Sequence, residues 1–320
     1  EVTTTSQLGF PDIGVYFAGG GSDGTLNLGQ NHWLLALDKL FKSEEQFDIL
    51  CLPGIWDPTI ALTMLTKVSE LERKDFFIVL DAPSILSLSE VIDFKHGNLA
   101  GFNTQVTLTS EFASLTYPWT KESVGVFSNV KLVPASISKV VSMIKTDNQV
   151  GPWGAAAGKT RGLLNIIDTA VKVSLNDANS LITFPNNINP IVFFPDTGFV
   201  IWGQKTLASD VSTLVTRENV VRNKVFLIKQ IKKILEGFLF ETITDTLLTF
   251  VNHAVTDFLL IQQGKGGIIS FQVISDRSVN PPELIADNQF QVFVKVQPVT
   301  VAEIITLQFI VTSNIGVTLA

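Results

Sequence analysis

Two glycine-rich stretches have the residue types that cradle phosphates in nucleotide-binding proteins. Gly19-Gly20-Gly21-Ser22-Asp23-Gly24 fits G-x-G-x-x-G and follows an apolar run, Ile13 to Ala18. The rest of the dinucleotide fingerprint is missing. The next strand candidate, Phe47 to Leu52, runs into Pro53-Gly54 with no acidic residue placed to grip a ribose, and Thr25 to Asn31 keeps the glycines away from any helix N-terminus. A Gly/Asp turn at a sheet rim accounts for it better. Gly154-Ala155-Ala156-Ala157-Gly158-Lys159-Thr160 resembles a P-loop but has three residues between the glycines where four are needed. Its amides would not close on a nest of the right size, so a packed loop of small residues is expected.

The other reactive side chains are scattered. His32, His96 and His253 have no His or Cys at ligand spacing, so no zinc site is written locally. Cys51 lies in an apolar strand and reads as a small core residue; no G-x-S-x-G elbow occurs. Asp81, closing the run Phe76 to Leu80, stands where α/β sheets carry site residues, although helix capping is the commoner role there. Arg222, Lys229 and Lys233, with Lys232 at the margin, share one face of a long helix candidate. In an acidic chain such a stripe is either a solvated face or a docking strip for an acidic surface.

Composition narrows the partners. The formal net charge is −7 with a pI near 5.0, which argues against nucleic acid. Charged residues make up 17% and mean hydropathy is +0.33, so the chain has more apolar surface to hide than a typical monomer. No run approaches the roughly 18 apolar residues of a membrane span, leaving an oligomer interface as the outlet. One cysteine and no Asn-x-Ser/Thr sequon give no sign of an oxidising secretory route. The start at Glu1, without Met or an apolar leader, reads as that of an internal fragment.

These residues need elements to position them. Helical spacing at Trp33 to Phe41, the strand Phe47 to Leu52, a helix opened by Asp57-Pro58, and the buried strand Phe76 to Leu80 make an α/β layer with a parallel sheet. From about Thr104 to Pro195 the pattern loosens into a loop-rich stretch between extended pieces at Phe112 to Tyr117 and Ile191 to Phe194. Phe199 to Trp202 is another strand. Glu218 to Leu235 and Ile243 to Ile261 are long helices, followed by strands at Ile268 to Ser275, Gln289 to Val296 and Glu303 to Thr312. The expected fold is α/β and α+β: a central α/β domain over 1–207, then a C-terminal domain over 208–320 with two long helices packed on an antiparallel or mixed sheet.

In order, Tyr117-Pro118-Trp119, Val133-Pro134-Ala135-Ser136, Gly151-Pro152-Trp153-Gly154, Ile188-Asn189-Pro190-Ile191 and Gly198 through Leu207 resemble the tail sheath proteins of contractile-tailed bacteriophages. Asn219-Val220-Val221-Arg222, Phe240-Glu241 and Val296-Gln297-Pro298-Val299 continue the resemblance, which spans about residues 12–312. Lys205 stands where the family has arginine, and Val221 where it has the first of two arginines.

That resemblance implies a structural virion protein with no cofactor and no catalysis. Its subunits stack as hexameric rings around a tail tube and are linked by donated strands. They meet baseplate and tail terminator proteins, and contract without nucleotide hydrolysis, one sequence having two packings. Assembly would take place in the host cytoplasm, with no nucleic-acid partner and no membrane insertion. Val292, Val294, Ile305, Leu307, Phe309 and Val311 become the candidates for intersubunit strand pairing. Arg222, Lys229, Lys232 and Lys233 become those for tube contact. Without the family's N-terminal arm, the fragment should be largely monomeric. An R-type bacteriocin or secretion sheath is the alternative, and a nucleotide-binding enzyme, testable by a binding assay, a more distant one.

Overall fold

In the computed structural model, residues 28–43, 46–69, 74–101, 106–124, 129–210 and 213–303 are described. The chain divides into two compact units, Glu1–Ser43 and Glu44–Ala320. In the first, α1 (Gln30–Lys42) opens with the Gly29 amide donating to Nδ1 of His32 at 3.1 Å. The Ile13 to Ala18 strand and the Gly19 to Gly24 turn lie outside the described residues.

The second unit begins with β1 (Ile49–Cys51), α2 (Pro58–Ser69), β2 (Phe77–Leu80), α3 (Leu88–His96) and β3 (Ala113–Tyr117). Asp57 caps α2, its Oδ1 accepting from the amides of Thr59 and Ile60. The hairpin β4 (Thr120–Val124) and β5 (Asn129–Val133) follows, then α4 (Ala135–Gln149), α5 (Gly158–Arg161), β6 (Leu163–Leu164), β7 (Asp168–Thr169) and α6 (Leu175–Ile182). The chain then returns to the sheet as β8 (Ile188–Phe194) and β9 (Gly198–Ile201). After a 3-10 turn at Leu214–Thr216 come α7 (Glu218–Glu236), α8 (Asp245–Gly264), β10 (Ile268–Ile274), α9 (Pro282–Ala286) and β11 (Phe293–Pro298).

The main sheet has the order β1-β2-β3-β8-β9-β6. Its first four strands are parallel, and β9 and β6 pair antiparallel beyond β8. Every residue of β2 is buried. Because neighbouring side chains on a strand point to opposite faces, both faces there are covered.

Among its described residues, the stretch expected to be loop-rich holds the hairpin β4–β5 and the helices α4, α5 and α6, between two adjacent strands, β3 and β8. Its signal is hidden because α4 is turned inside out. Ser136, Ser138, Lys139, Ser142 and Thr146 are buried, while Ile137, Val141 and Ile144 are exposed. A helix with polar residues inside shows no apolar stripe to read.

Among the described residues the C-terminal part is the expected pair of long helices on an antiparallel sheet, here of two strands; the third expected strand, Glu303 to Thr312, lies outside the described residues from position 304 on. Leu227 of α7, Val255 and Leu259 of α8 and Ile268 of β10 form the buried centre. Phe226, Ile231, Phe271, Val294 and Val296 pack around it. The strand expected from Gln289 begins only at Phe293, because the buried Asn280 side chain holds both backbone groups of Gln291: Oδ1 accepts from its N–H at 2.6 Å and Nδ2 donates to its carbonyl at 3.0 Å.

Candidate assembly surfaces

The near P-loop stretch leads into α5, but its carbonyls, not its amides, meet the charged groups. Lys139 Nζ donates to the Ala156 carbonyl at 3.3 Å and Arg161 Nε to the Ala155 carbonyl at 2.9 Å. Lys159 turns outward to Asp196 at 2.6 Å. A phosphate cradle has the opposite polarity. Gly154 is needed for contact: an added Cβ would sit 2.7 Å from the Thr146 methyl.

Asp81 is a cap, but for a helix distant in sequence. Its Oδ1 accepts from the Ser136 amide at 2.9 Å and its Oδ2 from the Ser136 hydroxyl at 2.6 Å, in the first turn of α4, and Oδ2 also accepts from the Gly54 amide at 3.0 Å. Burial raises its pKa despite these bonds, and burial followed by the Asp81 charge raises that of the Cys51 thiol. His96 Nε2 lies 3.2 Å from Asn186 Oδ1. Among the described residues no group of His, Cys, Asp and Glu is arranged to hold a metal.

Three of the resemblance motifs, those holding Trp153, Asn189 and Gln204-Lys205, meet instead at the first turns of α7, where four polar side chains are buried. Glu218 pairs with Lys139 at 2.5 Å, the two side chains being 2% and 0% exposed. Glu218 also accepts from Asn189 Nδ2 at 3.1 Å, and Asn189 holds Lys205 through both its amide and its carbonyl. Asn219 donates to the Trp153 carbonyl, Arg222 pairs with Asp147 on α4, and Asn223 donates to the Gly267 carbonyl. Burial lowers the Lys139 pKa, although Glu218 pulls it upward. Burial likewise raises the Asp147 pKa, with Arg222 opposing. Trp153 lies between two glycines, so close that a Cβ on Gly151 or Gly267 would fall 2.5 Å or 2.8 Å from its ring. This polar seam ties the C-terminal helices to the main sheet. Of its members Lys139, Asp147, Glu218 and Asn223 were not singled out from sequence; charged or amide residues inside otherwise apolar helical runs are the signal that could have found them.

The basic stripe therefore divides. Arg222 is buried in the seam, and Lys229 bonds Asp48 Oδ1 at 2.7 Å and the Phe47 carbonyl at 3.1 Å. Helical spacing put these cations on one face, but the first turns of that face pack inward. Lys232 and Lys233, at the other end of α7, are exposed.

The strand candidates also separate. Val294 is on β11 facing the apolar centre, opposite Val273, and Val292 sits just before the strand. Ile305, Leu307, Phe309 and Val311 lie outside the described residues. Two carbonyls of β10, those of Ile269 and Val273, are taken by the side-chain amides of Gln263 (2.7 Å) and Asn252 (3.3 Å) of α8. Among the described residues, nothing pairs with the outer edge of β11.

Beside the seam is a cleft of about 750 Å³, with Ile182, Phe184 and Trp202 on its walls and Arg161, Lys205 and Arg217 among its polar groups. Glu303 bridges Lys205 at 2.7 Å and Arg217 at 3.3 Å and accepts from Gln204 at 3.1 Å. Burial raises its pKa, but Lys205, Arg217 and Gln204 together bring it below the ordinary value.

Residues 27–207 match the family model described as the phage tail sheath protein central domain. The chain is 27% identical to the tail sheath protein of Vibrio phage KVP40, over 98% of this chain and 49% of that protein. It is 29% identical to the tail sheath protein of Enterobacteria phage T4, over 53% of this chain and 26% of that one. It thus spans about half, or less, of the length of these relatives. Its fold is similar to that in the contracted sheath complex of the extracellular contractile injection system PVC, with a TM-score of 0.73 at 23% identity, covering 88% of this chain and 75% of that one.

Proposed function

Since the chain belongs to the phage tail sheath protein family, we propose that it is the folded part of a subunit that stacks in hexameric rings around a tail tube and contracts to drive that tube through the host envelope. It is a structural protein of a contractile sheath, of a phage or a related injection system, and not an enzyme. Phage tail sheath proteins are virion components. The observation that carries this reading is the family match across 27–207, the region that supplies the seam's Lys139, Asp147, Trp153 and Asn189 to the first turns of α7.

Assembly proceeds by strand addition at the outer edge of β11. Backbone pairing supplies affinity there, and the alternation along Val292, Val294 and the residues beyond sets register. Lys232 and Lys233, exposed at the end of α7, are the tube-facing cations, while Arg222 and Lys229 hold the helix in place. Baseplate and tail terminator proteins bound the sheath, which assembles in the host cytoplasm. Residues 1–207 act as the central domain and 208–320 as the linking domain.

The test is electron microscopy of the full-length subunit made with its tube protein, combined with hydrogen exchange. Hollow helical tubes, with exchange protection gained at residues 293–297 on assembly, are expected. Dispersed subunits in the presence of tube would sink the sheath reading; tubes without that protection would sink the strand assignment alone.

A further inference from the structure

The connection from α7 to α8 ends in an unusual tip. Leu239 is 60% exposed and Phe240 105% exposed, and Phe240 has a backbone φ of 67°. A bulky residue in the left-handed region is strained, and such strain persists where the surrounding structure holds it, often at functional positions. The tip is ordered: the amides of Gly237, Phe238 and Leu239 each donate to a carbonyl three residues back. It is a preorganised apolar knob, flanked by the exposed carboxylates Glu236 and Glu241.

The cleft beside the seam has the complementary character. Phe184, itself 45% exposed, Ile182 and Trp202 give it apolar walls, and its volume of about 750 Å³ accommodates aromatic side chains. Three cations, Arg161, Lys205 and Arg217, line it against the single carboxylate of Glu303.

We infer that the Leu239–Phe240 tip of one copy seats in the Phe184–Trp202 cleft of a second copy, with Glu236 and Glu241 facing its cations. Acidic flanks meeting basic lining fix the choice of occupant. The contact joins two different patches, so it is head-to-tail, and repeated copies extend as a helix unless the rotation closes into a ring. It rests on the self-assembly reading but is separate from strand addition at β11.

Sedimentation of the 320-residue chain from about 10 μM to about 1 mM tests it, since a millimolar contact has roughly a third or more of its sites filled at the upper end. The chain should be largely monomeric at the lower end and form head-to-tail oligomers at the upper. Phe240→Gly suits the positive φ, so the fold should be retained with an unchanged or higher thermal midpoint, while the dissociation constant rises about 30-fold or more, as for an aromatic anchor. Ala302→Glu, adding a carboxylate at an exposed cleft position, should have the same effect. Mixing the two variants restores one intact tip and one intact cleft, and so should give dimers and nothing larger.

Unchanged association of either variant, or a mixture that stays monomeric, overturns the proposal. Loss on Val141→Ser with Ala302→Glu unaffected would move the receiving surface to α4 and overturn it too. A parent chain monomeric at about 1 mM overturns this contact, while the sheath reading stands or falls on assembly of the full-length subunit with tube.

Discussion

Replacing Lys139 by Met leaves the Glu218 carboxylate buried with Asn189 as its remaining hydrogen-bond donor. In the parent, the two side chains are 0% and 2% exposed and 2.5 Å apart, and the ammonium also serves the carbonyls of Ala156 and Gly203 at 3.3 Å each. Removing one partner of such a pair costs about 3–5 kcal/mol, chiefly because the other charge stays desolvated. At about 2–4 °C per kcal/mol for domains near this size, the thermal midpoint should fall by about 6 °C or more.

Lys139→Met with Glu218→Met removes both charges. Asn189 keeps its bond to the Lys205 carbonyl, so the chief remaining loss is at the Gly203 carbonyl, worth about 1–3 kcal/mol. The double variant should therefore be more stable than the single one. Urea titration followed by tryptophan fluorescence, with calorimetry, measures both. A single variant within about 1 kcal/mol of the parent, or a double variant no better than the single, would refute the argument that an unpaired buried charge sets the cost.

Glu303 gives a pH signature. Its pKa is lowered in the folded chain, so the stability it contributes is fully present above the ordinary value of 4.5 and is lost as pH falls through the lowered folded value. The stability difference between parent and Glu303→Gln, followed by denaturant titration from neutral pH downward, should shrink across that acidic window; a constant difference would refute the Lys205–Glu303–Arg217 bridge. Gly151→Ala places a Cβ 2.5 Å from the Trp153 ring at a φ of +119°, and should cost about 1–3 kcal/mol in the same titration. No loss would mean the indole has room to move.

The strands β1 and β2 were legible because each lies in an apolar run ended by Pro or Asp, while β3, with Ser114 and Thr116 in it, read only as an extended piece before Pro118. The long C-terminal helices were legible from 3.6-residue spacing. What escaped depends on partners far along the chain. The cap of α4 is Asp81, 55 positions before the amide it holds, so no local N-cap signal precedes the helix. Its buried face is Ser, Lys and Thr beside Ala135 and Met143, and the inward placement of the polar ones follows from Glu218, Arg161 and Asp81 lying on that side. The basic stripe shows the same limit: spacing set the face, but which turns pack inward depended on Asp147 and Asp48.

The placement of contacts along α7 has a mechanical consequence. Its buried amide and carboxylate anchors lie within residues 218–223, with the pairs Lys224–Glu111 and Lys229–Asp48 reinforcing them further along, whereas the apolar cluster that carries β10 and β11 begins at Phe226 and reaches Leu235. The 19-residue helix is thus a beam clamped at one end and loaded toward the other. A pull on β11 becomes torque at the clamp, and with a length of roughly 28 Å a tilt of roughly 5° there moves the far end by roughly 2–3 Å. In the sheath proposed above, the stiffness of that joint would help set how much of a neighbour's pull on β11 reaches the main sheet.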